Sequence, residues 1–177
     1  MILKTARYAR RQPQARHRDM LNWRQNVNAQ VTALVVRRAQ AEIIRPFGIA
    51  MAVMGAAAQT GGACSVLLGE LKPGEGPPPH LHHEFDEYFF VLDGVVSLVV
   101  AGRQTMVSAG DLIFTPRNTV HSFKNAGASA ATLLEWTVPG GNEPYFRAVY
   151  ELEATGSVDP QRLAEINARF ATEFLEG

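Results

Sequence analysis

Three histidines and one glutamate carry the chemistry this sequence offers. His80 and His82 stand one residue apart, Glu87 follows five positions later, and His121 lies in a distant segment. Successive side chains on a β-strand alternate faces, so His80 and His82 point the same way and their imidazoles can chelate one ion. Glu87 has the wrong parity for one straight strand through His82, so a bend within residues 83–86 must re-aim it. His121 follows the turn Pro116-Arg117-Asn118 and approaches from a neighbouring strand. Neutral imidazoles with a carboxylate suit one divalent transition metal ion, with iron first and manganese, nickel, copper or zinc as alternatives. Four protein ligands on a six-coordinate ion leave two positions for water, dioxygen or a chelating substrate. Such an opening separates a catalytic site from a closed structural one.

Other chemistries are weakly supported. Neither Gly-x-Gly-x-x-Gly nor a Walker pattern occurs. The single cysteine, Cys64, has no partner for a disulfide or a Cys-x-x-Cys pair, and reads as strand core. Ser65 and Ser122 lack a triad signature. Arg117 is the nearest candidate to clamp an anion and reads as a solvated side chain.

The elements that must position the ligands read as short strands with turn signals every 8 to 12 residues, the pattern of an antiparallel sandwich or barrel. Runs at 33–36, 42–44, 49–54 and 64–71 favour strands, and a helix over 21–42 is the alternative for the first part. Pro77, Pro78 and Pro79 deliver the chain to His80 in extended form. Residues 88–92 and 95–100 are strands joined by Asp93-Gly94, a two-residue hairpin signal. Residues 104–107, 111–115, 120–124 and 131–138 complete the strands. Asn142 opens a short helix over 143–152. Asp159-Pro160 caps a second, whose stripe of Leu163, Ile166, Phe170 and Phe174 runs toward Gly177. That stripe either packs on the sheet, lids the barrel mouth or meets a second copy. Phe89 and Val91 share the facing of Glu87, and Phe123 that of His121. Phe114, Trp136, Tyr145 and Phe146 are candidates for core or mouth.

The division expected is a basic, disordered extension over 1–30, a barrel over 31–140, and a helical segment over 141–177 that packs on or caps the barrel. Residues 1–18 hold six Lys and Arg and no acid, which leaves 11 basic and 17 acidic residues in the rest of a formally neutral chain. The acidic body favours cations over nucleic acid, and the basic arm is the only hint of a nucleic-acid partner. No run is long enough to span a bilayer, and no apolar core follows the basic start as in a secretory leader. With one cysteine, a cytoplasmic location is the expectation.

The sequence resembles the cupin superfamily. Gly74, His80, His82, Glu87 and Gly94 match its first motif. Gly110, Pro116, His121 and Asn125 match its second, with Asn118 where the pattern has glycine. Asn tolerates the left-handed conformation such a turn needs. The resemblance implies an all-β double-stranded β-helix, a jelly roll barrel with inward ligands, here followed by a C-terminal amphipathic helix. It also implies a metal held by His80, His82, Glu87 and His121.

Among cupins the texture is similar to small single-domain bacterial proteins related to quercetin 2,3-dioxygenases. It includes Arg45-Pro46-Phe47-Gly48, Gly76-Pro77-Pro78-Pro79-His80 and Val138-Pro139-Gly140-Gly141. The classical enzymes carry two motif pairs and this chain one. The resemblance implies a dioxygenase for a small enol or phenolic substrate, with Glu87 as ligand and catalytic base. Homodimers through edge strands or swapped N-terminal segments are common in the family. The alternatives are a metal-dependent isomerase, lyase or hydrolase, and a non-enzymatic binding or sensor domain.

Overall fold

A computed structural model describes residues 32–156 and 158–175. The expected basic extension over 1–30 lies outside the described residues. Among the described residues eleven strands form two antiparallel sheets. In chain order they are β1 (Glu42–Ile44), β2 (Ala50–Gly55), β3 (Ser65–Leu71), β4 (His80–His82), β5 (Asp86–Asp93), β6 (Val95–Val100), β7 (Arg103–Ser108), β8 (Leu112–Thr115), β9 (His121–Asn125), β10 (Ala131–Val138) and β11 (Thr172–Phe174). One sheet runs β1-β2-β3-β10-β5-β8 and the other β11-β4-β9-β6-β7. Two helices, α1 (Asn142–Glu153) and α2 (Pro160–Arg169), separate β10 from β11. This is the jelly roll that the strand pattern and the resemblance called for.

Period-two alternation builds the interior. In β5, Glu87, Phe89 and Val91 are buried, and in β10, Ala131, Leu133, Glu135 and Thr137 are. Leu67, Phe89, Val91, Val96 and Ala131 are at most 2% exposed, so the two sheets share one apolar core. Burying side chains of this size contributes about 1.5–3 kcal/mol each.

The two ligand-bearing segments are tied together by backbone. The Gly74 N–H donates to the Asn125 carbonyl and the Asn125 N–H to the Glu75 carbonyl. Asn118 sits at φ 62, the left-handed conformation expected of it. Its N–H donates to the His82 carbonyl over 2.7 Å, so the second motif's turn clamps the strand of the first. Gly76, at φ +157, passes against β9: a Cβ there would run into the Phe123 carbonyl and lie 2.7 Å from Lys124 Cα. Both obstacles are backbone, which yields only by moving β9. Gly76→Ala is therefore expected to cost about 3 kcal/mol in a denaturant melt, and a loss under about 1 kcal/mol would mean β9 has slack.

Three local expectations are corrected. Residues 32–37 are irregular, followed by a 3-10 turn at Arg38–Gln40, so neither the strand at 33–36 nor, among the described residues, the helix through 42 forms. Val35 is 79% exposed, so this apolar run has no face to bury. The last helix stops at Arg169 and does not reach Gly177. Ala171 adopts φ 50, which breaks the helix, and β-branched Thr172 opens a strand that pairs with β4.

Candidate metal centre

His80 and His121 face each other across β4 and β9 as direct register partners. His82 lies two residues along on the same face. Residues 83–85 then bend the chain out of one sheet and into the other, where β5 begins at Asp86. That bend supplies the parity change the sequence demanded. His83 holds it in place, with Nδ1 2.7 Å from Asn118 Oδ1 and Nε2 3.2 Å from Glu173. Glu87 itself sits in an eight-residue strand paired to Thr137 on one side and Thr115 on the other, so its backbone is fixed and only its side chain can shift.

Ligand atoms of His80, His82, Glu87 and His121 all lie within 4.8 Å of one another, and all four residues are buried. Each histidine commits Nδ1 to an outer acceptor. His80 donates to the Pro78 carbonyl at 2.9 Å, His121 to the Thr119 carbonyl at 2.9 Å, and His82 to the Thr172 hydroxyl at 3.1 Å. The Thr172 hydroxyl in turn donates to the Phe170 carbonyl. All three Nε2 atoms are thereby turned inward beside a carboxylate, a donor set whose rings are held by outer hydrogen bonds and which suits a divalent metal ion.

The electrostatics fit the same reading. Burial, reinforced by the charge of His121, lowers His80 to about 4, and burial lowers His82 as well. Burial also opposes charge on Glu87, but the hydrogen bond from His121 and the surrounding imidazoles outweigh it and hold the carboxyl below its ordinary value. For His121 burial disfavours charge, but the 2.8 Å hydrogen bond to Glu87, the charge of Glu87 and the hydrogen bond to the Thr119 carbonyl together outweigh it and raise its pKa. In the metal-free cluster burial disfavours charge on His80 and His82, while Glu87 and His121 share a 2.8 Å hydrogen bond.

These shifts set a pH dependence. The unfolded chain protonates His80 near 6.5 and the folded chain only near 4, so the unfolded state binds more protons between those values. Metal-free protein should lose stability as pH falls from 6.5 toward 4, by on the order of 3 kcal/mol from His80 alone. His82 adds with the same sign, the raised carboxyl of the buried Glu135 opposes within this window, and the raised His121 acts only above 6.5. Thermal melts at constant ionic strength read the slope, and a melting temperature that rises toward pH 4 would contradict the assignment.

Thr172 was not singled out from the sequence, because the helical stripe masked the strand that carries it. Its register opposite His82 is what delivers the hydroxyl to the ring. Thr172→Val keeps the shape and removes the acceptor. It should weaken metal binding roughly 10-fold, with Thr172→Ser restoring it. Equal affinity in all three proteins, read by competition with a chromophoric chelator, would remove Thr172 from the account.

The cluster forms part of the wall of a cavity of about 450 Å³. Six aromatic residues line it: Phe47, Phe89, Phe123, Tyr145, Phe146 and Phe174. Ile49, Met51, Leu71 and Leu163 fill between them. Tyr145 and Phe146 come from α1, Leu163 from α2 and Phe174 from β11. Phe47 adopts φ 54, an unusual conformation for a bulky residue, held where its N–H donates to the Glu153 carboxylate. Among the described residues no Lys or Arg lines the cavity.

A buried acid of the wall also lay outside the sequence reading. Glu135 on β10 is 6% exposed and faces the cavity. It accepts a hydrogen bond from Asn142 Nδ2. Burial, with the charge of Glu87 beside it, pushes its carboxyl well above the usual range. Its parity with Leu133 and Thr137 was the available signal.

Two mouth candidates are elsewhere. Phe114 and Trp136 flank Tyr88 on the outer face of the six-stranded sheet, because their parity is opposite to that of Glu135 and Thr115. Arg117 does not line the cavity. Its guanidinium bonds Asp86 at 3.0 Å and the Glu84 carbonyl at 3.0 Å, bracing the bend before β5.

Comparison with known proteins places the site in a wider group. The sequence profile of the family described as "Cupin domain" matches residues 67–137. Quercetin 2,3-dioxygenase of Bacillus subtilis is 29% identical over 97 residues, 55% of this chain and 28% of that protein. Tetracenomycin polyketide synthase protein TcmJ of Streptomyces glaucescens is 32% identical over 68 residues, 37% of this chain and 46% of that one. The chain thus spans less than half the length of these curated relatives. A crystal structure of a predicted oxalate decarboxylase from Thermotoga maritima superposes with a TM-score of 0.54 at 25% identity, over 60% of this chain and 99% of the other. Among the described residues no helix is long and apolar enough to cross a membrane.

Proposed function

Because residues 67–137 carry a cupin domain and the chain belongs to the cupin superfamily, we propose that it is a metal-dependent dioxygenase for a small aromatic enol or phenol. The observation that carries this reading is the meeting of two features. A buried cluster of three histidines and a glutamate opens onto a cavity of about 450 Å³ walled by aromatic rings. A divalent transition metal bound there, iron foremost, would supply Lewis acidity and, if redox-active, electron transfer to dioxygen.

The lining argues for the substrate class. A cavity with six aromatic residues and no described cation favours a neutral, flat molecule and disfavours a phosphate or dicarboxylate, whose charge would be left unpaired. An acidic hydroxyl on that molecule gives it one polar edge for the metal cluster. Glu87, whose carboxyl is held below its ordinary value, would accept the hydroxyl proton. Glu135 offers a second polar contact on the same wall. The name of the Bacillus subtilis relative points the same way.

Protein stripped of metal and reloaded in turn with Fe(II), Mn(II), Ni(II), Co(II) and Cu(II) tests the reading against flavonols, catechols and cyclic enols. The expected result is consumption of one dioxygen per substrate, with both atoms of ¹⁸O₂ in the product. Turnover that proceeds without oxygen would replace it with a lyase, isomerase or hydrolase. Tight substrate binding with no turnover under any metal would make it a binding domain.

A further inference from the structure

Among the polar side chains of the cavity wall, Glu135 stands apart. The three histidines and Glu87 form the cluster, Thr172 bonds His82, Tyr145 donates to Asn167 Oδ1 at 3.0 Å, and Glu75 accepts from Lys72. Glu135 belongs neither to the cluster nor to a loop. Its register partners on the two flanking strands are apolar and buried, Leu67 on β3 and Phe89 on β5. A leucine would pack between them without the desolvation that a buried carboxyl costs. The acid is nevertheless held in one place. Asn142, the first residue of α1, donates from Nδ2 to Glu135 Oε1, and its own Oδ1 accepts from the Thr137 hydroxyl at 3.3 Å. Beside it Glu143 accepts from the Ser65 hydroxyl and from the Ala57 N–H, which pins the start of the helix. Among the described residues no donor other than Asn142 bonds the Glu135 carboxyl.

The placement of Glu135 relative to Glu87 gives it a use. Thr137 pairs with Glu87 and Glu135 with Phe89, so the two carboxyls project from the same face of adjacent strands, one diagonal step apart. Long side chains in that relation meet, and here the two carboxyls come within hydrogen-bonding reach of each other. Side by side on an aromatic cavity, they offer two polar contacts to one edge of a flat molecule. The hydroxyl received at the cluster takes the first. We propose that Glu135 is a specificity-determining residue that hydrogen-bonds a second hydroxyl, on the carbon next to the first, so that the cavity prefers vicinal dihydroxy aromatic compounds to single phenols. This rests on the reading of the site as one for small aromatic enols or phenols. A flat ligand with one hydroxyl seals Glu135 from water behind an apolar ring edge, and the missing hydrogen bond is the source of the discrimination. The bracing through Asn142 and Thr137 fixes the carboxyl before the ligand arrives, as a recognition group on a rigid element requires.

Binding of 2,3-dihydroxynaphthalene and 2-naphthol to full-length, Zn(II)-loaded protein under argon, read by ligand fluorescence, tests this without turnover. Zinc is redox-inert, and comparing the preference of wild type with that of a variant cancels chelation of the diol by the metal. The wild type should prefer the diol. Glu135→Leu should reduce that preference roughly 10- to 100-fold, while affinity for 2-naphthol stays within about threefold. Should Asn142, left without its acceptor, unfold the variant, Glu135→Leu/Asn142→Leu removes both partners and carries the same expectation. An unchanged preference in the variant would overturn the proposal, as would equal binding of both compounds by the wild type. A similar loss of affinity for both compounds would make Glu135 a support for α1 and remove it from recognition. Binding of neither compound to the wild type would instead overturn the reading of the cavity itself, and this inference with it.

Discussion

A His80→Ala/His121→Ala double variant is expected to retain under a tenth of the metal bound by the wild-type protein. These two residues are the register partners that bring β4 and β9 together at the cluster, and their removal leaves only His82 and Glu87. Losing an outer-shell partner already costs 10- to 100-fold in affinity, so losing two direct ligands should cost at least about 10³-fold. The fold should survive, because both alanines take the place of buried polar rings and the apolar core lies elsewhere. The readout has two parts. Elemental analysis gives the metal content, and thermal melting gives the stabilisation by added metal, about 4 kcal/mol for wild type at a thousandfold excess over Kd and none for the variant. A variant that keeps its metal would show that the ion sits somewhere other than this cluster.

Glu87→Gln separates metal holding from chemistry. The amide is nearly isosteric, and its oxygen can still face the cluster as a neutral ligand. What it cannot do is take up a proton. If Glu87 is the base for the substrate hydroxyl, kcat should fall by about 10² to 10⁴ in protein that still contains metal. Metal content and oxygen uptake must be measured on the same sample. Turnover within tenfold of wild type, at full occupancy, would leave Glu87 as a ligand only.

Most of the centre was legible because metal chemistry demands particular residue types at particular spacings. His80 and His82 follow from strand parity, and the bend at 83–85 follows from the failure of that parity at Glu87. Asn118 was readable as a left-handed turn residue, and it occupies that conformation. What stayed hidden was hidden by degeneracy. Phe174 fits both a helical stripe from Phe170 and a strand after Thr172. Only pairing with β4 decides between them, and pairing is not local. Leu112, Ile113 and Phe114 form a continuous apolar run in which period two cannot say which side faces in. Glu135 sits among Leu133, Leu134 and Trp136, where an acid reads as solvent-facing until the register of β10 turns it inward. The cavity walls drawn from α1, α2 and β11 were out of reach for the same reason, since they depend on where the chain returns.

The central claim is that the buried cluster binds one divalent metal ion at the cavity wall. Calorimetric titration of metal-stripped wild-type protein with Mn(II), Co(II) and Ni(II) tests it most directly. The account predicts a single saturable site, one ion per chain, with micromolar or tighter affinity and abolished in the His80→Ala/His121→Ala variant. No saturable binding, or a site of equal affinity in the double variant, would contradict it.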